Sequence, residues 1–271
     1  MNNYSQRTLV MGIINCTPDS FSDGGRYLKH KDAIKQGLKL FSEGADIVDI
    51  GGVSTAPGRK TISIKDELAR VLPVVSGLAA YGLGKISIDT SRAEVARCAL
   101  DSGAVWINDQ HAALADKDMP TVMASAQACV LMHNVGEPGV MAGEKIHYHH
   151  VVEQVAEFFR ERIGHLLEQG LKRENIIVDP GIGFGKGVHD SLALINACHV
   201  FRKICPQVLI GLSRKSLIGQ LSGILEPSQR DYSSLGGAAA AVMAGATIIR
   251  THNVKATVEM LRVLDVCKNL H

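Results

Sequence analysis

Short apolar runs rich in valine and isoleucine recur along this chain, each ended by glycine or a polar residue and followed by a longer, periodically apolar stretch. The short runs cover residues 9–15, 46–51, 86–90, 105–109, 128–133, 176–180, 208–212 and 247–251, and their length and composition predict strands. Residues 32–42, 64–81, 92–102, 151–169, 191–203, 234–244 and 257–270 read as helices. In the first of these, Ile34, Leu38 and Phe41 share one face, and Gly44 is placed to cap the end. The strands are nearly continuous in apolar residues rather than alternating, which means burial on both faces, as in a parallel sheet covered by helices. Eight strand-helix units in 271 residues predict an α/β fold, the TIM (β/α)8 barrel, with an open doubly wound sheet as the alternative because periodicity does not report closure. No linker-like stretch interrupts the alternation, so residues 1–271 are expected to form a single domain.

Composition narrows the partners. With 29 Lys and Arg against 27 Asp and Glu, the net charge of +2 gives no overall field to draw in nucleic acid or an anionic membrane. Residues 1–10 lack the basic stretch and apolar run of a signal peptide, and no segment offers about 18 uninterrupted apolar residues, so a soluble, cytoplasmic protein is expected. The six cysteines include no C-x-x-C pair, which favours reduced thiols over disulfides or zinc ligation. His147, His149 and His150 have no acidic partner at helical spacing and read as a solvated loop.

In a barrel of this kind the site is built at the carboxyl ends of the strands, and here every strand ends in polar groups. They are Asn15; Asp49 with Ser54 and Thr55 beyond it; Asp89 and Thr90; Asn108 and Asp109; His133; Asp179; Ser213, Arg214 and Lys215; and Arg250 and His252. Asp89, Asp109 and Asp179 on one face would repel one another unless a cation or a donor-rich ligand sits among them. Lys215 and Arg250 arrive with strands seven and eight, where barrels commonly hold phosphate. The chemistry points to a neutral, donor-rich heterocycle at the carboxylates and an anion at the basic end.

The same residues carry a resemblance. The run Met11-Gly12-Ile13-Ile14-Asn15-Cys16-Thr17-Pro18-Asp19-Ser20-Phe21-Ser22-Asp23-Gly24-Gly25 and the run Asp179-Pro180-Gly181-Ile182-Gly183-Phe184-Gly185-Lys186 are the specific ones. Ile88-Asp89-Thr90, Ile107-Asn108-Asp109, Met132-His133, Ser213-Arg214-Lys215-Ser216 and Ile249-Arg250-Thr251-His252 follow in order. Over residues 11–265 the chain resembles the dihydropteroate synthase family, the sulfonamide target of folate biosynthesis. The resemblance implies condensation of 6-hydroxymethyl-7,8-dihydropterin diphosphate with p-aminobenzoate, releasing diphosphate. It implies that Asp89, Asn108, Met132, Asp179, Phe184, Lys215 and Arg250 form the pterin slot, with Asp89, Lys215 and Arg250 catalytic. It places Asn15, Thr55, Arg250 and His252 at the diphosphate, Asn15 as protein ligand of Mg2+, and Phe21, Thr55, Pro57, Lys215 and Ser216 around p-aminobenzoate. A homodimer is implied as well, and the Gly and Pro residues of loops 16–26 and 53–61 suit lids that close over the substrates. The chemistry agrees, since carboxylates pair with a pterin's amino and ring N–H donors, and diphosphate departure demands stabilised negative charge.

The chain also departs from the family pattern. Where the family commonly reads Glu-Ser-Thr-Arg-Pro-Gly, this sequence reads Val53-Ser54-Thr55-Ala56-Pro57-Gly58, so a phosphate-holding arginine is missing at Ala56 and Arg59 is the expected substitute. Gln110-His111 and Leu217 are smaller departures. The glycine-rich run 181–187 fits no nucleotide-loop motif, and its glycines are expected to let the backbone approach the pterin. Two alternatives stay open: a pterin-binding paralogue without synthase activity, and a methyltetrahydrofolate-corrinoid methyltransferase.

Overall fold

The computed structural model describes residues 7–17, 26–53, 62–134 and 147–268. Its eight strands are β1 (Leu9–Asn15), β2 (Ile47–Gly51), β3 (Lys85–Asp89), β4 (Trp106–Asp109), β5 (Ala128–Met132), β6 (Ile176–Asp179), β7 (Leu209–Gly211) and β8 (Ile248–Thr251). They form one parallel sheet in the order β6-β5-β4-β3-β2-β1-β8-β7. A parallel bridge from Val178 to Val208 joins its two edges, so the sheet is a nearly closed TIM barrel. Ten α-helices among the described residues surround it: α1 (Arg26–Ser42), α2 (Ile64–Ala79), α3 (Ala93–Asp101), α4 (Met119–Met123), α5 (Val151–Glu168), α6 (Val188–Asn196), α7 (Cys198–Arg202), α8 (Ser216–Ser222), α9 (Asp231–Met243) and α10 (Val254–Lys268).

Side chains alternate across each strand, and the two faces have separate cores. Met11, Ile47, Trp106, Ala128, Val130, Ile177, Leu209 and Ile248 fill the barrel interior. The opposite face, with Val10, Ile14, Val48, Ile50, Ile88, Ile107, Leu131, Val178 and Ile210, packs against the helices. Helix α2 shows how a helix is fixed there. The Ser63 hydroxyl accepts from the Asp66 N–H at 3.1 Å, Asp66 and Glu67 in the first turn suit the helix dipole, and Val71, Val74, Val75 and Leu78 turn a buried stripe to the sheet.

The strand set agrees with the sequence reading to within a residue or two at each end. Helix α1 starts earlier than expected, because after Tyr27 and Leu28 the polar run Lys29-His30-Lys31-Asp32 interrupts the apolar pattern for a full turn. The stretch expected as one helix over 191–203 is two, α6 and α7, meeting at Ala197. The five-residue α4 and seven-residue α8 are too short for periodicity to register.

Candidate active site

Alternation decides which strand-end groups reach the mouth. Two residues beyond the apolar interior positions, on the same face, come Asp49 after Ile47, Asn108 after Trp106, Met132 after Val130, Asp179 after Ile177 and Arg250 after Ile248. Asn15 and His252 lie two positions further on β1 and past β8, and Asn15 is exposed. Asp89 follows Ser87 in the same way, and the β2 to β3 register sets Asp49 beside Ser87 and Gly51 beside Asp89.

Three of the polar ends expected at the mouth are one residue out of phase and face the helices instead. The Asp109 carboxylate accepts from Ser91 Oγ at 2.5 Å and from the His111 and Ala113 N–H groups at 2.9 and 2.7 Å, so Ser91 past β3 and the N–H groups of its own turn satisfy it. His133 is buried with its ring edge-on to Phe158 at 4.7 Å, and burial together with the Lys186 charge pushes it down to about 3. Thr90 donates to Glu67 of α2 at 2.7 Å. The expected carboxylate cluster is therefore corrected: Asp49 takes the place of Asp109 beside Asp89 and Asp179.

Arg250 ties this acidic wall together. Its Nε donates to Asp49 Oδ2 at 2.7 Å and its Nη2 to Asp89 Oδ2 at 2.8 Å. Asn108 Nδ2 donates to the same Asp49 oxygen at 2.9 Å, and Gln110 Nε2 to Asp89 Oδ1 at 3.0 Å. Asp49 is fully buried and its Oδ1 has no hydrogen-bond partner. Burial pushes the Asp89 carboxyl up to about 7 against the opposing charge of Arg250, with Asp49 adding to the rise. Asp179 is raised by burial too, against Lys215, and its Oδ1 accepts from the Gly181 N–H at 2.8 Å.

The loop after β6 lies against the end of β5. Gly181 has φ +68°, and a Cβ there would sit 2.1 Å from the His133 carbonyl oxygen, so only glycine fits. For this glycine the close approach is to the backbone at the end of β5. Lys186 pins the same loop, its Nζ donating to the His133 and Phe184 carbonyls at 3.1 and 3.0 Å, and burial pushes the amine down to about 7. Lys186 closes the run 179–186, and its role depends on carbonyl positions that no spacing in the sequence signals. The Lys215 Nζ donates to the Ile182 carbonyl at 2.7 Å and lies 4.5 Å from the centre of the buried Phe184 ring. Burial lowers Lys215 to about 8 against the pull of Asp179.

The basic end stands on residues past β7 and β8, where no ladder fixes the chain. Arg214 takes a left-handed φ of 62° and forks onto Asp231 at 2.7 and 2.9 Å. Arg230, buried, donates to the carbonyls of Arg214 at 3.0 Å, Lys215 at 3.3 Å and Ile224 at 2.9 Å, and also to that of Leu225. Gly219 leaves room for it, since a Cβ there would lie 2.6 Å from the guanidinium carbon. Ser216, exposed, opens α8. His252 Nδ1 is 3.0 Å from Ser213 Oγ, and burial with the Arg214 and Arg250 charges pushes the imidazole down to about 4. Phe21, Thr55 and Pro57, with Ala56 and Arg59, lie outside the described residues.

A barrel mouth with a carboxylate wall on one side and clamped cations on the other suits an enzyme that holds a donor-rich heterocycle next to an anion. The comparisons with known proteins give that class a family. The family model described as "pterin binding enzyme" matches residues 11–252, and the chain belongs to that family. It is 41% identical to the dihydropteroate synthase of Escherichia coli (strain K12) over 256 residues, 94% of this chain and 90% of the relative. Among solved structures, Xanthomonas albilineans dihydropteroate synthase with 4-aminobenzoic acid superposes with a TM-score of 0.87 at 39% identity, covering 97% of this chain and 93% of that one. The same enzyme in complex with 7,8-dihydropteroate gives 0.85 at 37% identity, covering 97% and 94%.

Proposed function

We propose that this chain is a dihydropteroate synthase, joining the amine of p-aminobenzoate to the methylene of 6-hydroxymethyl-7,8-dihydropterin diphosphate. The observation that carries the reading is the Arg250 guanidinium, held by Asp49 and Asp89 at the seam between the acidic wall and the cationic end. Near-complete coverage of synthases at 37–41% identity supports it. The whole chain, residues 1–271, works as one barrel domain.

In the reaction the aniline nitrogen bonds to the pterin methylene as the carbon–oxygen bond to diphosphate breaks, and the amine gives up one proton to solvent. Asp89, Asn108 and Asp179 read the pterin's hydrogen-bonding edge, Met132 and Phe184 flank the ring, and the Arg250 plane covers it. Ionised Asp89 also stabilises positive charge left on the methylene. Lys215 donates to the pterin and borders the p-aminobenzoate site with Ser216, Phe21, Thr55 and Pro57. Arg250, His252, Asn15 and Thr55 receive the diphosphate. Among the described residues no group of three or more His, Cys, Asp or Glu is placed to hold a metal. One exposed oxygen donor, Asn15, fits Mg2+ completed by waters and phosphate oxygens, which would neutralise leaving-group charge.

No helix among the described residues is long and apolar enough to cross a membrane. All six cysteines are free, which supports a reducing, cytoplasmic setting. Exposed Tyr232 and Met243 of α9 and Val263 and Val266 of α10 support a homodimer formed through these outer helices. The test of function is incubation with Mg2+, the pterin diphosphate and labelled p-aminobenzoate. Labelled dihydropteroate and equimolar diphosphate are expected; pterin binding without turnover would make the chain a binding paralogue instead.

A further inference from the structure

Ser213 and His252 each lie two residues past the last β7 to β8 pair, Gly211 with Arg250. The buried Ser213 hydroxyl has one proton and two lone pairs. One lone pair accepts the backbone N–H of His252 at 3.2 Å. Among the described residues the acceptor within reach of its proton is His252 Nδ1, at 3.0 Å. Were Nδ1 protonated, the hydroxyl would accept twice and its own proton would be buried without a partner, an arrangement folded proteins avoid.

We infer that Ser213 is a positioning residue that fixes His252 as the neutral Nε2–H tautomer, so that the ring meets the leaving diphosphate as a hydrogen-bond donor and not as a proton source. The inference rests on the placement of diphosphate at the basic end. Burial and the flanking charges of Arg214, Arg250 and Lys215 act in the same direction by disfavouring the imidazolium, and outweigh the opposing charge of Asp231. The geometry divides the labour: Arg250 and Lys215 supply charge, and the imidazole supplies a directed N–H on the edge opposite Ser213.

The test is two-bond 15N–1H correlation on the full-length protein with 15N-labelled histidine, His252 being assigned by the loss of its signals in His252→Gln. The expected spectrum has an unprotonated Nδ1 and a protonated Nε2, and both shift when inorganic diphosphate and Mg2+ are added. Ser213→Ala is expected to give a tautomer mixture and to weaken diphosphate binding about tenfold, with Ser213→Thr restoring both. A protonated Nδ1 in the unliganded protein, or an unchanged tautomer in Ser213→Ala, overturns the inference. The expected tautomer with no response to diphosphate overturns the diphosphate placement and the role drawn from it, while the Ser213 bond stands.

Discussion

The two walls of the mouth are built by different means. On the acidic side Asp49, Asp89, Asn108 and Asp179 all lie within strands, so the barrel register sets each one; Asp49 and Asp89 then bond directly to other side chains, and Asp179 accepts from the Gly181 N–H just past its own strand. On the basic side Ser213, Lys215 and His252 lie past the ends of β7 and β8, and each needs its own fastening. Arg230 holds the carbonyl of Lys215, Ile182 holds its amine, and Ser213 holds the imidazole. Arg250 belongs to both walls, a cation carried on a strand. The lesson is that strand geometry preorganises a recognition surface directly, whereas a loop-borne charge must be preorganised by a second layer of hydrogen bonds.

Removing the shared residue should cost most. Arg250→Met leaves Asp49 and Asp89 buried without their counter-charge, and breaking a buried pair of this kind costs about 3–5 kcal/mol. Turnover should fall by about 100-fold or more, and the denaturation midpoint should drop; wild-type stability would show that the pairs do not organise the wall. Gly219→Ala is the corresponding strike on the loop side. Its Cβ would displace the Arg230 guanidinium, so kcat/KM is expected to fall about tenfold with about 1–3 kcal/mol of stability lost to overpacking. Steady-state kinetics with a urea melt checks both.

Protonation sharpens the comparison next. With Asp89 held up to about 7, its accepting carboxylate form is depleted as pH falls through that value. The pterin diphosphate kcat/KM should therefore decline on the acid side of about pH 7, as a free-enzyme property. Asp89→Asn should be slow at every pH and lack that limb. Lys186→Met, which unpins the loop after β6 from β5, should raise the KM for the pterin substrate about threefold to tenfold with a smaller change in kcat. Smallest is Gln110→Leu. It removes one amide hydrogen bond to Asp89 while the Arg250 pair stays, and should move the pterin KM by no more than about threefold.

The acidic wall was legible in the sequence because period-two alternation carries it. Once the apolar interior positions are known, Asp89, Asn108, Asp179 and Arg250 follow by counting in twos. The same rule explains the misplacement of Asp109, His133 and Thr90, since a one-residue error in where a strand ends moves a side chain to the other face. Asp49 stood among the polar ends, yet its bonds to Arg250 and Asn108 join three strands and have no local signal. The fastenings of the basic end, Arg230 with Gly219 and Ser213 with His252, were not legible either. They depend on carbonyl positions and on a close approach between α8 and the start of α9, which no spacing in the chain encodes.

The division of the mouth is tested most directly by titration calorimetry of two ligands, 7,8-dihydropteroate and inorganic diphosphate with Mg2+, against Asp179→Asn and His252→Gln. The expected result is a crossed pattern. Asp179→Asn weakens dihydropteroate about tenfold or more and diphosphate by about twofold or less, and His252→Gln does the reverse. If each variant weakens both ligands equally, the two walls do not bind separate halves of the substrate, and the account of the site is contradicted.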